Sequence, residues 1–236
     1  MDVTGAAMPT AVPTDQTLPV LAAVDLYRFY HAGDDETLAL RGVSLRLYPG
    51  EVVAVTGPSG SGKSTLLACL AGLDEPDGGC VRIDGETMSR RPETERAALR
   101  ARKVGMLFQT GNLLDHLSVE QNVVLAQRLA GTVDRRRVDA VLDEVGLGER
   151  ARATPPTLSG GEAARAGLAV ALANDPAVIL ADEPTGELDE VTSTRIMTLL
   201  RSRVTAGAAV LIVTHNTGVA DAADREISLA DGRIAP

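Results

Sequence analysis

Apolar residues follow two different periods along the chain, and these periods predict strands and helices in alternation. Short runs rich in valine, isoleucine and leucine, bounded by glycine, proline or aspartate, are typical of strands. The run EVVAVT at residues 51–56 has no alternating polar positions, which favours a strand buried on both faces. The strands predicted in this way lie at residues 20–26, 37–47, 51–56, 81–83, 104–108, 177–181, 208–214 and 226–229.

Segments with helical spacing of apolar residues lie between these strands. Ser118, followed three residues later by Gln121, predicts a capping box at the start of one helix. Because residues 118–145 contain no strand pattern, we expect a helical subdomain at about residues 110–175. The helices predicted in this way lie at residues 63–71, 119–130, 135–145, 158–172, 190–201 and 218–223.

The order of these elements predicts the fold class. After residue 177 strands and helices alternate, which is typical of parallel strands joined by crossover helices. The strands at residues 20–26 and 37–47 are predicted to form an antiparallel pair. We therefore predict an α/β protein with a mostly parallel core sheet, an N-terminal antiparallel β subdomain and the helical subdomain.

The composition limits the number of domains and the kinds of partner. A length of 236 residues fits one domain at residues 20–236, after a tail at residues 1–19 that is predicted to be mobile. The formal net charge of -9 argues against nucleic acid as the main partner. No apolar run approaches the roughly 18 residues of a membrane span, and the first residues lack the pattern of a secretion signal. With only two cysteines, these features predict a cytoplasmic protein.

The segment GPSGSGKST satisfies the pattern of a phosphate-binding loop, and it lies between a predicted strand and a predicted helix, as that motif requires. Glycines allow backbone N–H groups to approach phosphate oxygens, and the helix N-terminus adds a favourable dipole. Lys63 is expected to neutralise charge on the β- and γ-phosphates, and Ser64 to offer a hydroxyl to Mg²⁺. The predicted nucleotide-binding residues of this loop are Gly57, Pro58, Ser59, Gly60, Ser61, Gly62, Lys63, Ser64 and Thr65.

The segment VILADE at residues 178–183 is an apolar strand that ends in two acids. Such a strand delivers its carboxylates to the carboxyl edge of a parallel sheet, where ligands bind in these folds. We expect Asp182 to hold Mg²⁺ through a water molecule, and Glu183 to orient and deprotonate the attacking water. Two solvated acids at a strand end are the alternative, which the neighbouring phosphate loop disfavours.

The segment LSGGE at residues 158–162 completes a set of three motifs. In this order, the motifs resemble the nucleotide-binding domain of ATP-binding-cassette (ABC) proteins, which are phosphate-loop NTPases, over residues 20–234. The resemblance implies that LSGGE of one subunit closes over the γ-phosphate of ATP held by the other. Ser159, Gly160 and Gly161 would then bind ATP across a homodimer, and the start of their helix is suited to an anion.

The resemblance also implies an aromatic side chain that stacks on adenine. Tyr30 matches that position, and the neighbouring Phe29 or Tyr27 could take the role instead. The chain has only five aromatic residues, so a tyrosine ahead of the first core strand is informative.

Three further residues receive roles from the resemblance. Gln109 matches the glutamine that reaches Mg²⁺ and the attacking water, and Asp189 matches a loop that signals between subunits. His215 matches the histidine that contacts the γ-phosphate. The expected catalytic residues are therefore Glu183, His215, Gln109 and Lys63, and the expected Mg²⁺ ligands are Ser64, Gln109 and Asp182.

The finer pattern resembles the lipoprotein-release, macrolide-export and cell-division group of bacterial cassette ATPases. Members of this group drive a separate integral membrane permease with four membrane helices, which implies a position on the inner face of the cell membrane. The chain departs from the group at Ala163, Ala164, Val170 and Asn216, which puts polar contacts of one helix in question. The alternative is a soluble cassette ATPase that acts in cell-wall signalling, or on DNA or ribosomes.

Overall fold

A computed structural model describes residues 18–32, 35–186 and 188–235. The tail predicted to be mobile lies outside the described residues, apart from residues 18 and 19. The strands are β1 (Leu21–Ala32), β2 (Asp35–Leu47), β3 (Val52–Thr56), β4 (Gly78–Ile83), β5 (Glu86–Thr87), β6 (Val104–Leu107), β7 (Val178–Asp182), β8 (Ala209–Val213), β9 (Arg225–Ala230) and β10 (Arg233–Ile234). The helices are α1 (Lys63–Leu70), α2 (Glu93–Lys103), α3 (Val119–Leu129), α4 (Arg135–Glu144), α5 (Gly160–Ala171), α6 (Glu190–Thr205) and α7 (Thr217–Asp221).

The strands form two sheets, and both agree with the predicted fold class. The N-terminal sheet is antiparallel, with the strand order β2-β1-β4-β5. The core sheet has the order β10-β9-β3-β8-β7-β6, and its five longer strands are parallel. Because parallel strands all end at one edge, β3, β7 and β8 bring the residues that follow them to the same side of the molecule.

The central strands are buried on both faces, as the run EVVAVT predicted. Val53 and Val55 belong to the apolar layer that includes α1 and the N-terminal sheet. Val52 and the alternate β8 residues Val210 and Ile212 belong to the layer that includes α3, α4, α5 and α6. The core sheet is therefore covered on one face by helices and on the other by α1 and the second sheet.

The helices between residues 119 and 171 contact one another and form the helical part of the fold. The predicted capping box is present, because Ser118 accepts from the Gln121 N–H and the Gln121 side chain accepts from the Ser118 N–H. The buried Gln127 side chain donates to Ala173 O and accepts from the Asp134 N–H, which joins α3 to both of its neighbours. The limits of this helical subdomain remain a prediction.

Several elements differ from the sequence prediction, among them the two-residue strands β5 and β10, which were not predicted. The charged helix α2 was not predicted, because Leu99 is its only fully buried residue and its apolar pattern is weak. Its remaining signal is the placement of acids in the first turn and bases in the last turn, which complements the helix dipole. Strand β1 continues past residue 26 through two bulges, which break its alternation. None of the described helices is long and apolar enough to cross a membrane.

Candidate active site

The phosphate loop connects β3 to α1 at the carboxyl edge of the core sheet. Gly57 and Gly62 have φ values of 142° and 102°, which disfavour any residue with a side chain. A Cβ atom at Gly57 would lie 2.0 Å from Leu229 O, and one at Gly62 would lie 2.4 Å from Ala39 O. Lys63 Nζ donates to Gly57 O at 2.9 Å and to Pro58 O at 2.8 Å. These bonds join the end of the loop to its beginning.

The loop is suited to the phosphates of a nucleotide. Ser61 Oγ is buried, and it has no hydrogen-bond partner among the described residues. A cavity of about 400 Å³ lies beside the loop, and Tyr30 forms part of its wall. The loop residues that line this cavity are Ser59, Gly60, Gly62, Lys63, Ser64 and Thr65. Gly57 and Pro58 line a neighbouring cavity together with His215 and Asn216.

The two glycines Gly57 and Gly60 make a matched pair for testing this loop. Gly60 also has a positive φ of 78°, but a Cβ atom there would meet nothing within 4 Å. We expect Gly60→Ala to lower the free energy of unfolding by about 1–2 kcal/mol, the cost of a left-handed residue. Gly57→Ala should cost more, because its methyl group also collides with the Leu229 backbone. Urea unfolding of both variants measures the difference, and equal midpoints would contradict it.

The carboxylates at the end of β7 lie in different surroundings. Burial and the charge of Glu183 raise the pKa of Asp182, and Lys63 opposes this shift. Glu183 has a φ of 45°, and its backbone N–H donates to Val213 O at 2.9 Å. A residue other than glycine is strained in the left-handed backbone region, and such residues concentrate at functional sites. Two adjacent acids beside one lysine favour the binding of a further cation.

Glu183 and His215 are in direct contact, which the sequence did not predict. His215 Nδ1 lies 2.7 Å from Glu183 Oε1, and the His215 backbone N–H donates to the same oxygen at 2.9 Å. The Thr214 hydroxyl donates to Glu183 Oε2 at 3.0 Å. This contact occupies Nδ1 of His215, so Nε2 is the ring nitrogen that remains available for a ligand. The His215 side chain is 76% exposed and that of Glu183 is 14% exposed, so the imidazole is much more open to solvent than the carboxylate.

Gln109 follows β6, the neighbour of β7, and lines a third cavity of about 500 Å³. Glu183, Gly186 and Gly160 line the same cavity. Serine, glutamine and aspartate supply the oxygen donors that Mg²⁺ prefers, so the residue types of the predicted metal site fit this ion.

The LSGGE segment begins α5. Ser159 accepts from the Glu162 N–H, and the Glu162 side chain accepts from the Ser159 N–H, which forms a second capping box. The first residues of a helix, here Gly160 and Gly161, have no intrahelical acceptor for their N–H groups. Gly160 lines the cavity of Gln109, whereas no residue of LSGGE lines the cavity at the phosphate loop of the same chain.

Asp189 begins α6 and lies close to the LSGGE segment. Its carboxylate accepts from the Thr192 N–H at 2.9 Å and from the Thr192 hydroxyl at 2.8 Å. The hydrogen bond from the Thr192 backbone is the main cause that lowers the pKa of Asp189. A Cβ atom at Gly161 would lie 2.9 Å from Thr192 Oγ1, so the two helix starts are in close contact.

The aromatic residues of β1 occupy different positions. Tyr30 lines the cavity of the phosphate loop and is 40% exposed. Tyr27 lies against Gly42 and Gly78 instead, and Phe29 does not line that cavity. Burial raises the pKa of Tyr30, so its hydroxyl keeps the proton that it donates to Asp74 Oδ2 at 2.8 Å. This geometry favours Tyr30 over the two alternatives as a base-stacking residue.

Comparisons with known proteins identify the family of the chain. The family model described as ABC transporter matches residues 40–186. An uncharacterized ABC transporter ATP-binding protein of Thermotoga maritima is 44% identical, over 91% of this chain and 93% of that protein. The lipoprotein-releasing system ATP-binding protein LolD of Maricaulis maris is 43% identical, over 92% of this chain and 96% of that protein. The macrolide export ATP-binding/permease protein MacB of Shigella flexneri is 42% identical, over 92% of this chain but 34% of that protein.

Solved structures give the same result. The dimeric post-hydrolysis state of the ATP-binding cassette MJ0796, bound to ADP and Pi, superimposes with a TM-score of 0.85. It is 36% identical, over 92% of this chain and 97% of that one. The chain belongs to the ABC transporter family. It is an ATP-binding cassette ATPase, similar to the LolD and MacB proteins, which confirms the predicted fold class, family and activity.

Proposed function

We propose that two copies of this chain close around two ATP molecules, hydrolyse them with Mg²⁺, and thereby drive a separate membrane permease. The observation that carries this proposal is the separation of LSGGE from the phosphate loop within one chain. Both motifs offer backbone N–H groups suited to an anion. The phosphate loop lines the cavity of Tyr30, however, whereas Gly160 of LSGGE lines the cavity of Gln109. A second copy, related by two-fold symmetry, would place its LSGGE segment against the first copy's phosphate loop.

Residue types and contacts support a role for each group in hydrolysis. Lys63, together with the N–H groups of the loop, would bind the β- and γ-phosphates. Mg²⁺ held by Ser64, Gln109 and Asp182 would neutralise charge on the phosphate oxygens. Ser159, Gly160 and Gly161 of the partner copy would contact the γ-phosphate, and Asp189 would transmit their position to α6.

The contact between Glu183 and His215 supports an in-line attack by water. Glu183 would accept a proton from the water while the water oxygen bonds to the γ-phosphorus. The bond between that phosphorus and the leaving oxygen of ADP would break in the same step. The His215 side chain is exposed and lines a cavity together with Gly57 and Pro58 of the phosphate loop, so its Nε2 would be available to the γ-phosphate. Three hydrogen bonds hold the Glu183 carboxylate, so the base would be oriented before ATP binds.

The names of the relatives support a permease as partner. The Shigella flexneri relative is named as an ATP-binding/permease protein, and this chain matches about a third of its length. We propose a permease of the macrolide-export or cell-division type, with four membrane helices, and a position on the inner face of the cell membrane. The cavity beside Gln109, with the exposed Phe108 and Leu114 next to it, is our candidate docking surface.

Two measurements on the purified chain test the proposed ATP hydrolysis and the proposed permease partner. We expect the chain to hydrolyse ATP in Mg²⁺ and to lose this activity in EDTA, because the phosphate charges would then be unshielded. We also expect the tagged chain, captured from detergent-solubilised membranes, to bring a membrane permease with it. Mass spectrometry identifies the captured protein. Equal hydrolysis in EDTA would contradict the Mg²⁺ assignment, and capture of ribosomes or DNA in place of a permease would favour the non-transport alternative.

A further inference from the structure

An acidic segment covers the edge of β1 where strand pairing stops. Strand β1 pairs with β4 only as far as Tyr27, which lies opposite Gly78. Beyond this point, the Phe29 N–H donates to the carboxylate of Asp77 at 2.8 Å. The Asp77 backbone N–H donates in turn to Tyr27 O at 2.9 Å. The segment that carries Asp77 therefore replaces a strand as the partner of β1.

Arg28 joins this segment to the strand through three hydrogen bonds to carboxylates. Its Nε and Nη2 atoms donate to the two oxygens of Asp74, each at 2.8 Å, which is a bidentate pair. Its Nη1 atom donates to Asp77 Oδ2 at 3.0 Å. Burial opposes ionisation of Asp74, but hydrogen bonds from Arg28 and Tyr30 outweigh it and lower the pKa of this carboxyl. Asp74 is therefore an ionised acceptor for both donors.

The same two residues fix the Tyr30 ring. The guanidinium carbon of Arg28 lies 4.7 Å from the ring centroid, within the range of a cation–π contact. The Tyr30 hydroxyl donates to Asp74 Oδ2 at 2.8 Å. One contact restrains a face of the ring and the other restrains its hydroxyl end, so both act on the orientation of the side chain. The rest of the ring lines the cavity of the phosphate loop.

Helix α1 connects this arrangement to the phosphate loop. The helix begins at Lys63 and ends at Leu70, four residues before Asp74. A helix of this length spans about 12 Å. The first turn of α1 contains Lys63, Ser64 and Thr65 of the phosphate loop. Asp74, which follows the last turn, accepts the hydrogen bond from the Tyr30 hydroxyl. The position of the ring relative to the loop is thus set by one rigid element.

We propose that Arg28 and Asp74 are positioning residues that hold Tyr30 against the base of the nucleotide, and that they determine how much the base contributes to ATP affinity. The inference rests on the proposed function, in which Tyr30 stacks on adenine. A preformed stacking surface avoids the cost of ordering the side chain when ligand binds. Neither residue lines the cavity at the phosphate loop, so their effect on the nucleotide would pass through Tyr30.

Comparison of ATP with inorganic tripolyphosphate, which has no base, tests this inference. We expect Arg28→Gln to raise the Kd and KM for ATP by about five-fold while kcat and the Kd of tripolyphosphate stay unchanged. Arg28→Lys, which keeps the cation, should recover part of the loss, and Tyr30→Phe, which lacks only the hydroxyl, should show an intermediate loss. Arg135→Gln is the matched control, because this exposed arginine pairs with Glu120 far along the chain.

A double variant separates positioning from a general effect on folding. If Arg28 acts through the ring, Arg28→Gln should add nothing to the loss caused by Tyr30→Ala. An additive loss, or an equal loss of tripolyphosphate affinity, would overturn the inference while leaving Tyr30 as the stacking residue. Unchanged ATP affinity in Tyr30→Ala would instead overturn the stacking role itself. Absence of ATP hydrolysis in the unaltered chain would contradict the proposed function.

Discussion

Glu183→Gln is expected to lower the rate of ATP hydrolysis by about 10³-fold, within the range for loss of a general base. The amide keeps the size of the side chain. Its oxygen can still accept from the His215 N–H, while its NH2 group, in the place of Oε2, would donate to the Thr214 hydroxyl oxygen instead of accepting from it. The amide cannot take a proton from water at neutral pH. ATP binding should therefore persist, and the variant should accumulate as a dimer in ATP and Mg²⁺. Phosphate release measures the rate, and light scattering measures the mass.

Glu120→Gln is the control for this variant. Glu120 lies on α3, pairs with Arg135, and does not line the cavity at the phosphate loop. We expect this change to leave both hydrolysis and mass unchanged. Hydrolysis by Glu183→Gln at the rate of the unaltered chain would remove Glu183 from the role of base. A monomeric mass in ATP, combined with normal ATP affinity, would argue against the two-copy arrangement.

Mixed dimers are expected to recover an activity that both parent variants lack. Lys63→Ala should abolish phosphate binding by the loop. Gly160→Asp should place a negative charge where the γ-phosphate would meet LSGGE, and a side chain at Gly160 would meet nothing within 4 Å in its own chain. An acid in the first turn even favours the helix, so this variant should stay folded. Each variant alone would carry one defect at both of its sites.

In a mixed pair, one site carries both defects and the other carries neither. Random exchange of subunits makes half of the dimers mixed. Under two-fold symmetry, roughly a quarter of all sites then contain both an unaltered phosphate loop and an unaltered LSGGE segment. Hydrolysis by the 1:1 mixture, compared with each variant and with the unaltered chain, gives the result. If loop and LSGGE of the same chain acted together, the mixture would stay as inactive as its parents.

Much of the site followed from the sequence, because motif and strand order together determine where side chains lie. The apolar runs that end at Thr56, Asp182 and Thr214 predicted parallel strands, and parallel strands end at one edge. The phosphate loop and the acids were therefore expected to be neighbours. A helix was expected at residues 158–172, which include LSGGE, and α5 occupies residues 160–171.

Contacts between distant side chains could not be predicted in this way. Glu183 and His215 are 32 residues apart, and only the turn of each chain segment after its strand brings them to 2.7 Å. Arg28 and Asp74 are 46 residues apart, and no spacing rule relates them. From the sequence alone, the acidic residues that follow α1 are consistent with a solvated loop. Their bonds to β1 become apparent only in the structure, where β1 extends beyond its pairing with β4.

The bonds from Lys63 to Gly57 O and Pro58 O bear on nucleotide exchange. We expect them to help the loop keep its conformation while ADP leaves, because the ammonium group has two backbone acceptors within the loop. An incoming ATP would replace two carbonyl oxygens with phosphate oxygens and would need little backbone ordering. Reloading would then be limited by how quickly the paired subunits separate, so a partner that controls their separation would set the pace of the whole cycle.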